Sequence, residues 1–159
     1  LDFEKMVVEI NPESGINIQQ VRKLGKRERS EKRIVVAEDS PLLRKLLSDT
    51  LTEAGYQYVE FFENGKEALE YLESIANAGK NIEEQVQLIV TDIEMPQMDG
   101  HHLTKRVKVS KELGKLPVII FSSLITDDLK HKGQMVGANA QVSKPEIAEL
   151  ITLIDQHIL

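Results

Sequence analysis

A regular alternation of short apolar runs with longer segments of helical periodicity constrains this chain most, and it begins at Arg33. Short, continuous apolar runs are typical of strands that helices cover on both faces. The runs that predict strands are residues 34–37, 58–62, 88–90, 117–121 and 138–142. Because a helical segment follows each run, the pattern predicts parallel strands joined by helical crossovers.

The segments between the strands carry apolar residues at the three- and four-residue spacing of a helix. Gly55 predicts the end of the first helix, and Asn64-Gly65 predicts the start of the second. Residues 77–85 predict a polar loop that is longer than most connections in such folds. The helical positions are Leu42, Leu43, Leu46, Leu47 and Leu51, then Ala68, Leu69, Leu72 and Ile75, then Leu103, Val107 and Leu113, then Leu129, Met135 and Val136, and finally Ile147, Leu150, Ile151 and Ile154.

Five strand–helix units predict an α/β fold, namely an open, doubly wound, five-stranded parallel sheet with helices on both faces. We expect the flavodoxin-like strand order 2-1-3-4-5 by analogy with folds of this architecture, since the pattern alone does not determine the order. In such sheets, ligands bind beyond the carboxyl ends of the strands. The residues that follow each strand are therefore the first candidates for a functional site.

Polar side chains follow four of the five predicted strands. Glu38 and Asp39 follow the first strand, Asp92 the third, Ser122 the fourth and Lys144 the fifth. If the sheet is parallel, all of these groups lie at one edge. Each of these residues alone could be an ordinary turn residue, helix cap or surface residue. Such separate roles do not explain why the residues occur together after four strands.

A cluster of acids requires compensating charge. Because its ligands are oxygens, with no His or Cys at the strand ends, a hard cation is favoured, and we expect Mg²⁺. Lys144 supplies a further positive charge. A carboxylate such as Asp92 can attack phosphorus in line while a metal and an ammonium neutralise the phosphoryl oxygens.

Composition excludes several other functions. There is no Cys, which excludes disulfides, zinc–thiolate sites and thiol catalysis and fits a reducing compartment. The net charge of −6 argues against nucleic-acid binding. No apolar run approaches the roughly 18 residues of a membrane span, and the first residues lack the features of an export signal. We expect a cytoplasmic chain without membrane insertion.

Four motifs resemble the response-regulator receiver family: VVAEDS, IVTDIEMPQMDG, VIIFSS and VSKP. The resemblance covers about residues 33–159. It implies that Glu38, Asp39, Asp92 and the backbone carbonyl of Glu94 bind Mg²⁺. It also implies that Asp92 accepts a phosphoryl group from a histidine kinase, and that Ser122 and Lys144 contact the phosphoryl oxygens.

The sequence departs from the usual family pattern at two positions. Gln141 stands at the switch position, where an aromatic residue is common, so the resemblance does not extend to the aromatic form of the switch. Glu38 stands where Asp is more common. The resemblance further implies that Glu94 and Leu124 tune the lifetime of the phosphoryl group. His101, His102, His131 and His157 show no metal-ligand spacing, and we interpret them as surface or helix residues.

The segments LDFEKMVVEINPESGI and FSSLITDDLKHKGQMVGANAQVSKPEI resemble the CheV family of chemotaxis adaptors, which join a CheW-like domain to a receiver. This resemblance implies that residues 1–30 are the tail of a CheW-like domain plus a linker, and that residues 31–159 are the receiver. Residues 22–33 carry seven Lys or Arg against two Glu, as a solvated linker or a basic docking patch would. The implied partners are a CheA-type histidine kinase and, through the CheW-like domain, the chemoreceptor array, whose coupling or adaptation the receiver would modulate.

Other functions stay open at the level of sequence. The chain could be a single-domain receiver of another two-component pathway, or a receiver that serves only as a dock. A phosphohydrolase with an Asp nucleophile is less favoured, because its motif usually follows the first strand and Asp92 follows the third. A flavodoxin-like cofactor binder would need a phosphate-binding loop where Glu38 and Asp39 stand. We do not expect an enzyme that acts on a separate substrate.

Overall fold

The computed structural model of the chain describes residues 28–123 and 125–159. The predicted CheW-like tail, together with the linker as far as Arg27, lies outside these residues, and so does Leu124. A helical turn over residues 28–30 leads into the first strand.

Five parallel strands form a single sheet, as the sequence predicted. Their order is β2-β1-β3-β4-β5, so the flavodoxin-like order is confirmed. In β1, β3 and β4 nearly every residue is buried, which fits their short apolar runs. The strands are β1 Arg33–Ala37, β2 Tyr58–Phe62, β3 Leu88–Thr91, β4 Val118–Ser122 and β5 Ala140–Ser143.

Six helices cover the sheet among the residues that the structure describes. They are α1 Pro41–Ala54, α2 Gly65–Asn77, α3 Ile82–Gln85, α4 Gly100–Val109, α5 Asp127–Met135 and α6 Ile147–Ile158. Polar side chains fix where several of them begin: Ser40, Asn64 and Asp99 each accept a hydrogen bond from a backbone N–H of the first helical turn. Gly55 ends α1 in the left-handed conformation, with φ at 112°.

The two faces of the sheet bury separate apolar clusters. Alternate residues of one strand point to opposite faces, so Val35 packs on the side of α2 and α4, whereas Val36 packs on the side of α1 and α6. The first cluster includes Leu69, Leu72, Ile89, Leu103 and Val107, and the second includes Leu47, Leu51, Val90, Phe121, Leu150 and Ile154. This three-layer packing holds the carboxyl edge of the sheet in place.

Some predicted boundaries are wrong. The loop predicted over residues 77–85 contains α3, because Asn81 caps a helical turn and Ile82 is buried. Leu113 is buried but lies beyond α4, which ends at Val109. The chain turns extended at Ser110, whose Oγ accepts a hydrogen bond from Leu113 N at 3.2 Å.

Strand β5 starts at Ala140 rather than at residue 138, because the Asn139 side chain accepts a hydrogen bond from Val118 N at 2.9 Å. Within residues 28–123 and 125–159, no helix has the length and apolar character needed to cross a membrane. Helix α1, for example, has 14 residues.

We predict that Gly100→Ala destabilises the fold by about 3 kcal/mol, because overpacking against backbone cannot relax. A Cβ at Gly100 would lie 1.9 Å from the backbone oxygen of Asp92. The matched control is Gly79→Ala, where φ is +75° and no heavy atom lies within 4 Å. It should lose only the roughly 1 kcal/mol of a left-handed alanine. Urea unfolding measures both losses, and equal losses would contradict the close packing at Gly100.

Candidate functional site

The strands place their carboxyl ends side by side at one edge of the sheet. Ala37 of β1 is in register with Thr91 of β3, so the residues that follow them, Glu38 and Asp92, are brought together. The backbone N–H of Asp92 donates to the carbonyl of Ala37 at 2.9 Å, which extends this pairing by one residue. The local register of two buried strands therefore positions two of the predicted acids.

Three carboxylates converge at this edge: Glu38, Asp39 and Asp92 each offer an oxygen within 4.8 Å of the others. Glu38 is only 1% exposed, whereas Asp39 is exposed. Backbone amides hold two of the groups, since Ser40 N donates to Glu38 Oε2 at 3.2 Å and Ile93 N donates to Asp92 Oδ1 at 2.8 Å. The acids are thus fixed close to one another despite their charge.

Lys144 provides the positive charge that faces the acids. Its Nζ lies 2.5 Å from Glu38 Oε1 and 3.4 Å from Asp92 Oδ2. The side chains of Lys144 and Asp92 are each 10% exposed, so water screens this contact weakly. The ammonium contacts two of the three carboxylates, and the cluster keeps excess negative charge.

The electrostatics of Glu38 reflect this excess. Burial raises the pKa of Glu38, the negative charge of Asp92 raises it further, and the hydrogen bond from Lys144 opposes both. A cation bound among the three acids would relieve the same repulsion. Their donor set fits Mg²⁺, because it is made of carboxylate oxygens close enough to share one ion after small side-chain movements.

Two further hydrogen bonds fix the backbone at Asp92 and Ile93. The Thr91 hydroxyl donates to the carbonyl of Asp92 at 2.9 Å, and Gly100 N donates to the carbonyl of Ile93 at 2.8 Å. Asp99 does not belong to the acid cluster of Glu38, Asp39 and Asp92. It caps α4 by accepting from His102 N at 2.7 Å.

Ser122 ends β4 and is buried, and its carbonyl accepts a hydrogen bond from Lys144 N at 3.1 Å. Ser122 is in register with Ser143, the residue before Lys144. The peptide bond between Lys144 and Pro145 is cis. The structure therefore places Ser122 at the end of β4, and Lys144 just after β5, at the same edge as the acids.

An open cavity of about 490 Å³ lies beside the acid cluster. Asp39, Glu94 and Asp99 line one part of it, and Leu129 and Lys132 of α5 line another. Glu94 is exposed and lies at this opening, and its influence on phosphoryl lifetime stays a prediction.

His101 also lines the cavity, and sequence reasoning missed its role in the packing. It lies in α4, as a helix residue, but it is only 2% exposed and so is not a surface residue. Burial lowers the pKa of His101, and the nearby charge of Lys132 lowers it further. The spacing of apolar residues in α4 did not indicate that His101 is buried, because its neighbours Leu129 and Lys132 belong to α5.

Gln141, at the predicted switch position, packs against α5. Its Nε2 donates to the carbonyl of Lys130 at 2.8 Å. A Cβ at Gly133 would lie 2.4 Å from Gln141 Oε1, so glycine is what allows this approach. Gly133 is the buried residue of α5. The Gln141 side chain therefore connects β5 to a helix that buries no large apolar side chain.

The flavodoxin-like sheet, with three acids and a lysine at its carboxyl edge, defines the class of receiver-type signalling domains. The family model described as the response regulator receiver domain matches residues 34–155. The chain therefore belongs to the response-regulator receiver family.

One curated relative is a chemotaxis protein of the CheV type. CheV2 of Helicobacter pylori is 32% identical over 154 residues, which make up 94% of this chain and 46% of CheV2. The chain thus spans about half the length of that relative. It is a receiver similar to those of the CheV proteins.

Two solved structures share the fold. CheY4 of Vibrio cholerae, a chemotaxis response regulator, is 29% identical and superposes with a TM-score of 0.63, covering 80% of this chain and 98% of its own. The receiver domain of the histidine kinase CKI1 from Arabidopsis thaliana, solved with Mg²⁺, is 29% identical with a TM-score of 0.66. That match covers 77% of this chain and 91% of CKI1's receiver.

We predict that Gly133 and Gln141 are energetically coupled. Gly133→Ala alone should gain little or lose stability, because the new methyl displaces the Gln141 amide from Lys130. In a Gln141→Ala background the same change should stabilise the protein by about 1 kcal/mol, the usual gain of Ala over Gly inside a helix. Urea unfolding of the wild type, the two single variants and the double variant gives the coupling free energy. The same effect of Gly133→Ala in both backgrounds would contradict the contact.

Proposed function

We propose that Asp92 accepts a phosphoryl group from a CheA-type histidine kinase in a Mg²⁺-dependent reaction. The observation that carries this proposal is the convergence of Glu38, Asp39 and Asp92 within 4.8 Å, with Lys144 against the two buried acids. The acids alone would repel a phosphoryl donor. A divalent cation reverses that repulsion and makes the edge attractive to phosphate.

Glu38, Asp39, Asp92 and the backbone carbonyl of Glu94 would hold the cation, which would neutralise charge on the transferring phosphoryl group. Ile93 N keeps Asp92 Oδ1 in place by a hydrogen bond. An oxygen of Asp92 attacks the phosphorus of a phosphohistidine, a P–O bond forms and the P–N bond breaks. The imidazole of the donor keeps the electron pair of the broken bond, and Asp92 becomes an acyl phosphate.

Lys144 and Ser122 would then contact the phosphoryl oxygens. Lys144 exchanges part of its interaction with Glu38 for one with the new dianion, and Ser122 donates its hydroxyl from the end of β4. Gln141 would carry the change to α5 through its contact with Lys130 and Gly133. We infer that the face formed by α5, β5 and α6 reports phosphorylation.

The similarity to CheV2 supports a role in chemotaxis. In this proposal residues 1–30 are the tail of a CheW-like domain plus a linker, and residues 31–159 are the receiver. The CheW-like domain would contact the chemoreceptor array in the cytoplasm, and phosphorylation would modulate receptor–kinase coupling during adaptation. The receiver would catalyse only its own phosphorylation and dephosphorylation. Glu94 at the cavity mouth would help to set the rate of dephosphorylation, together with Leu124.

We predict that acetyl phosphate labels the wild-type chain with Mg²⁺ and fails to do so in EDTA, because the acids need the cation. Asp92→Asn should reduce labelling to background in either condition. Intact-mass measurement of the phosphorylated fraction checks both results. The matched control is Asp49→Asn, an exposed acid of α1 paired with Lys45, which should label like wild type. Undiminished labelling in EDTA, or of Asp92→Asn, would remove the proposed function.

We predict a different result for Lys144→Ala: much of the labelling should survive, because the cation and Asp92 remain. The conformational response should weaken, because the ammonium that follows the phosphoryl group is lost. Amide exchange in α5, β5 and α6, measured with and without Mg²⁺ and beryllofluoride, reports the response. Lys45→Ala, at a lysine whose side chain is 75% exposed, is the control. A wild-type response in Lys144→Ala would contradict the role of this lysine.

A further inference from the structure

Arg29 lies before β1, on the linker side of the predicted domain boundary, yet it bonds to the end of the receiver. Its Nε and Nη2 donate to the two carboxylate oxygens of Asp155 in α6, at 3.1 and 2.6 Å. Its Nη1 donates to the carbonyl of Ala54, the last residue of α1, at 3.2 Å. The guanidinium therefore fixes the incoming chain to two helices at once.

Tyr56 completes this arrangement. Its hydroxyl donates to Asp155 Oδ1 at 2.5 Å, and its ring centroid lies 6.0 Å from the Arg29 guanidinium carbon. The side chains of Arg29 and Asp155 are only 23% and 15% exposed, and Tyr56 is fully buried. We call Arg29, Tyr56, Asp155 and the carbonyl of Ala54 the Arg29 clamp. Its geometry is bidentate and partly buried, unlike that of an exposed surface ion pair.

Both helices that meet at the Arg29 clamp begin at the phosphoacceptor edge. Helix α1 starts at Pro41, and Arg44 in its first turns donates to the carbonyl of Glu38 at 2.8 Å. Helix α6 starts at Ile147, three residues after Lys144, and carries Asp155 near its other end. At 1.5 Å per residue, α1 spans about 20 Å from Pro41 to Ala54, and α6 spans about 12 Å from Ile147 to Asp155.

We propose that the Arg29 clamp docks the chain segment that enters the receiver at Glu28, and that its hold on Arg29 changes with the state of Asp92. The second part rests on the proposed function. When Lys144 moves toward a phosphoryl group, the start of α6 moves relative to α1. The Arg29 clamp joins the far ends of the same two helices. A shift of α6 relative to α1 would therefore change the hydrogen bonds of Arg29, which attach the incoming chain segment to the receiver.

Limited trypsin digestion of the 159-residue chain tests this docking directly. Cleavage between Arg29 and Ser30 requires the guanidinium to leave the clamp and enter the protease. Cleavage after Lys80, an exposed residue beyond α2, serves as the reference within the same molecule. Asp155→Asn should speed cleavage after residue 29 about tenfold relative to Lys80, because one charged partner is lost. Asp49→Asn should leave the ratio unchanged.

Arg29→Lys provides a second variant that keeps the charge and the trypsin site but loses the guanidinium fork. It should also be cleaved faster at residue 29, with cleavage after Lys80 unchanged, so a folding defect in Asp155→Asn would not obscure the result. Wild-type cleavage ratios in both variants would overturn the docking. Faster cleavage at Lys80 as well as residue 29 in both variants would show general loosening, and would also overturn it.

Coupling to Asp92 is tested by adding Mg²⁺ and beryllofluoride, with binding monitored by the shift in melting temperature. The cleavage ratio of wild type should change by about threefold or more, in keeping with typical coupling between sites. Asp92→Asn and Arg29→Lys should show no change. Binding of beryllofluoride without a change in the wild-type ratio would overturn the coupling and leave the proposed function standing. Absence of binding would overturn the coupling and the proposed function together.

Discussion

Mutual repulsion among three carboxylates at one edge of the sheet is the constraint on which the rest of the structure depends. Glu38, Asp39 and Asp92 stay within 4.8 Å of one another because two buried strands fix their backbones and backbone amides hold two of their side chains. Lys144 offsets part of the charge, and negative charge remains in excess at this edge. Burial raises the pKa of Glu38, the negative charge of Asp92 raises it further, and the hydrogen bond from Lys144 opposes both.

Much of the fold and the positions of most candidate site residues could be predicted from sequence. In a parallel sheet, the residue that follows a strand in sequence lies at the carboxyl edge of the sheet. Short, fully apolar runs that alternate with helical segments are typical of sheets that helices cover on both faces. This alternation predicted the five strands. Since parallel strands end at one edge, Glu38 after β1 and Asp92 after β3 had to come near one another. Lys144 after β5 followed from the same rule, which required no knowledge of side-chain conformation.

Other features left no local signal in the sequence. His101 is buried near Leu129 and Lys132 of α5, and the Gln141 contact depends on a glycine in the same helix. Arg29 and Asp155 are 126 positions apart, so their pairing follows only from the finished packing of α1 and α6. The short helix α3 arises where one buried isoleucine and one capping asparagine override a polar composition. These contacts are long-range or depend on a single side chain, whereas periodicity reports only extended patterns.

In the proposed reaction, one aspartyl oxygen among three neighbouring acids is the attacking group. Borohydride reduction of the acetyl phosphate-treated chain, followed by peptide mass spectrometry, identifies the modified residue directly. We expect the reduced residue to be Asp92, and we expect it only when Mg²⁺ was present during the acetyl phosphate treatment. Modification at Glu38, at Asp39 or at an acid elsewhere in the chain, with Asp92 intact, would contradict it.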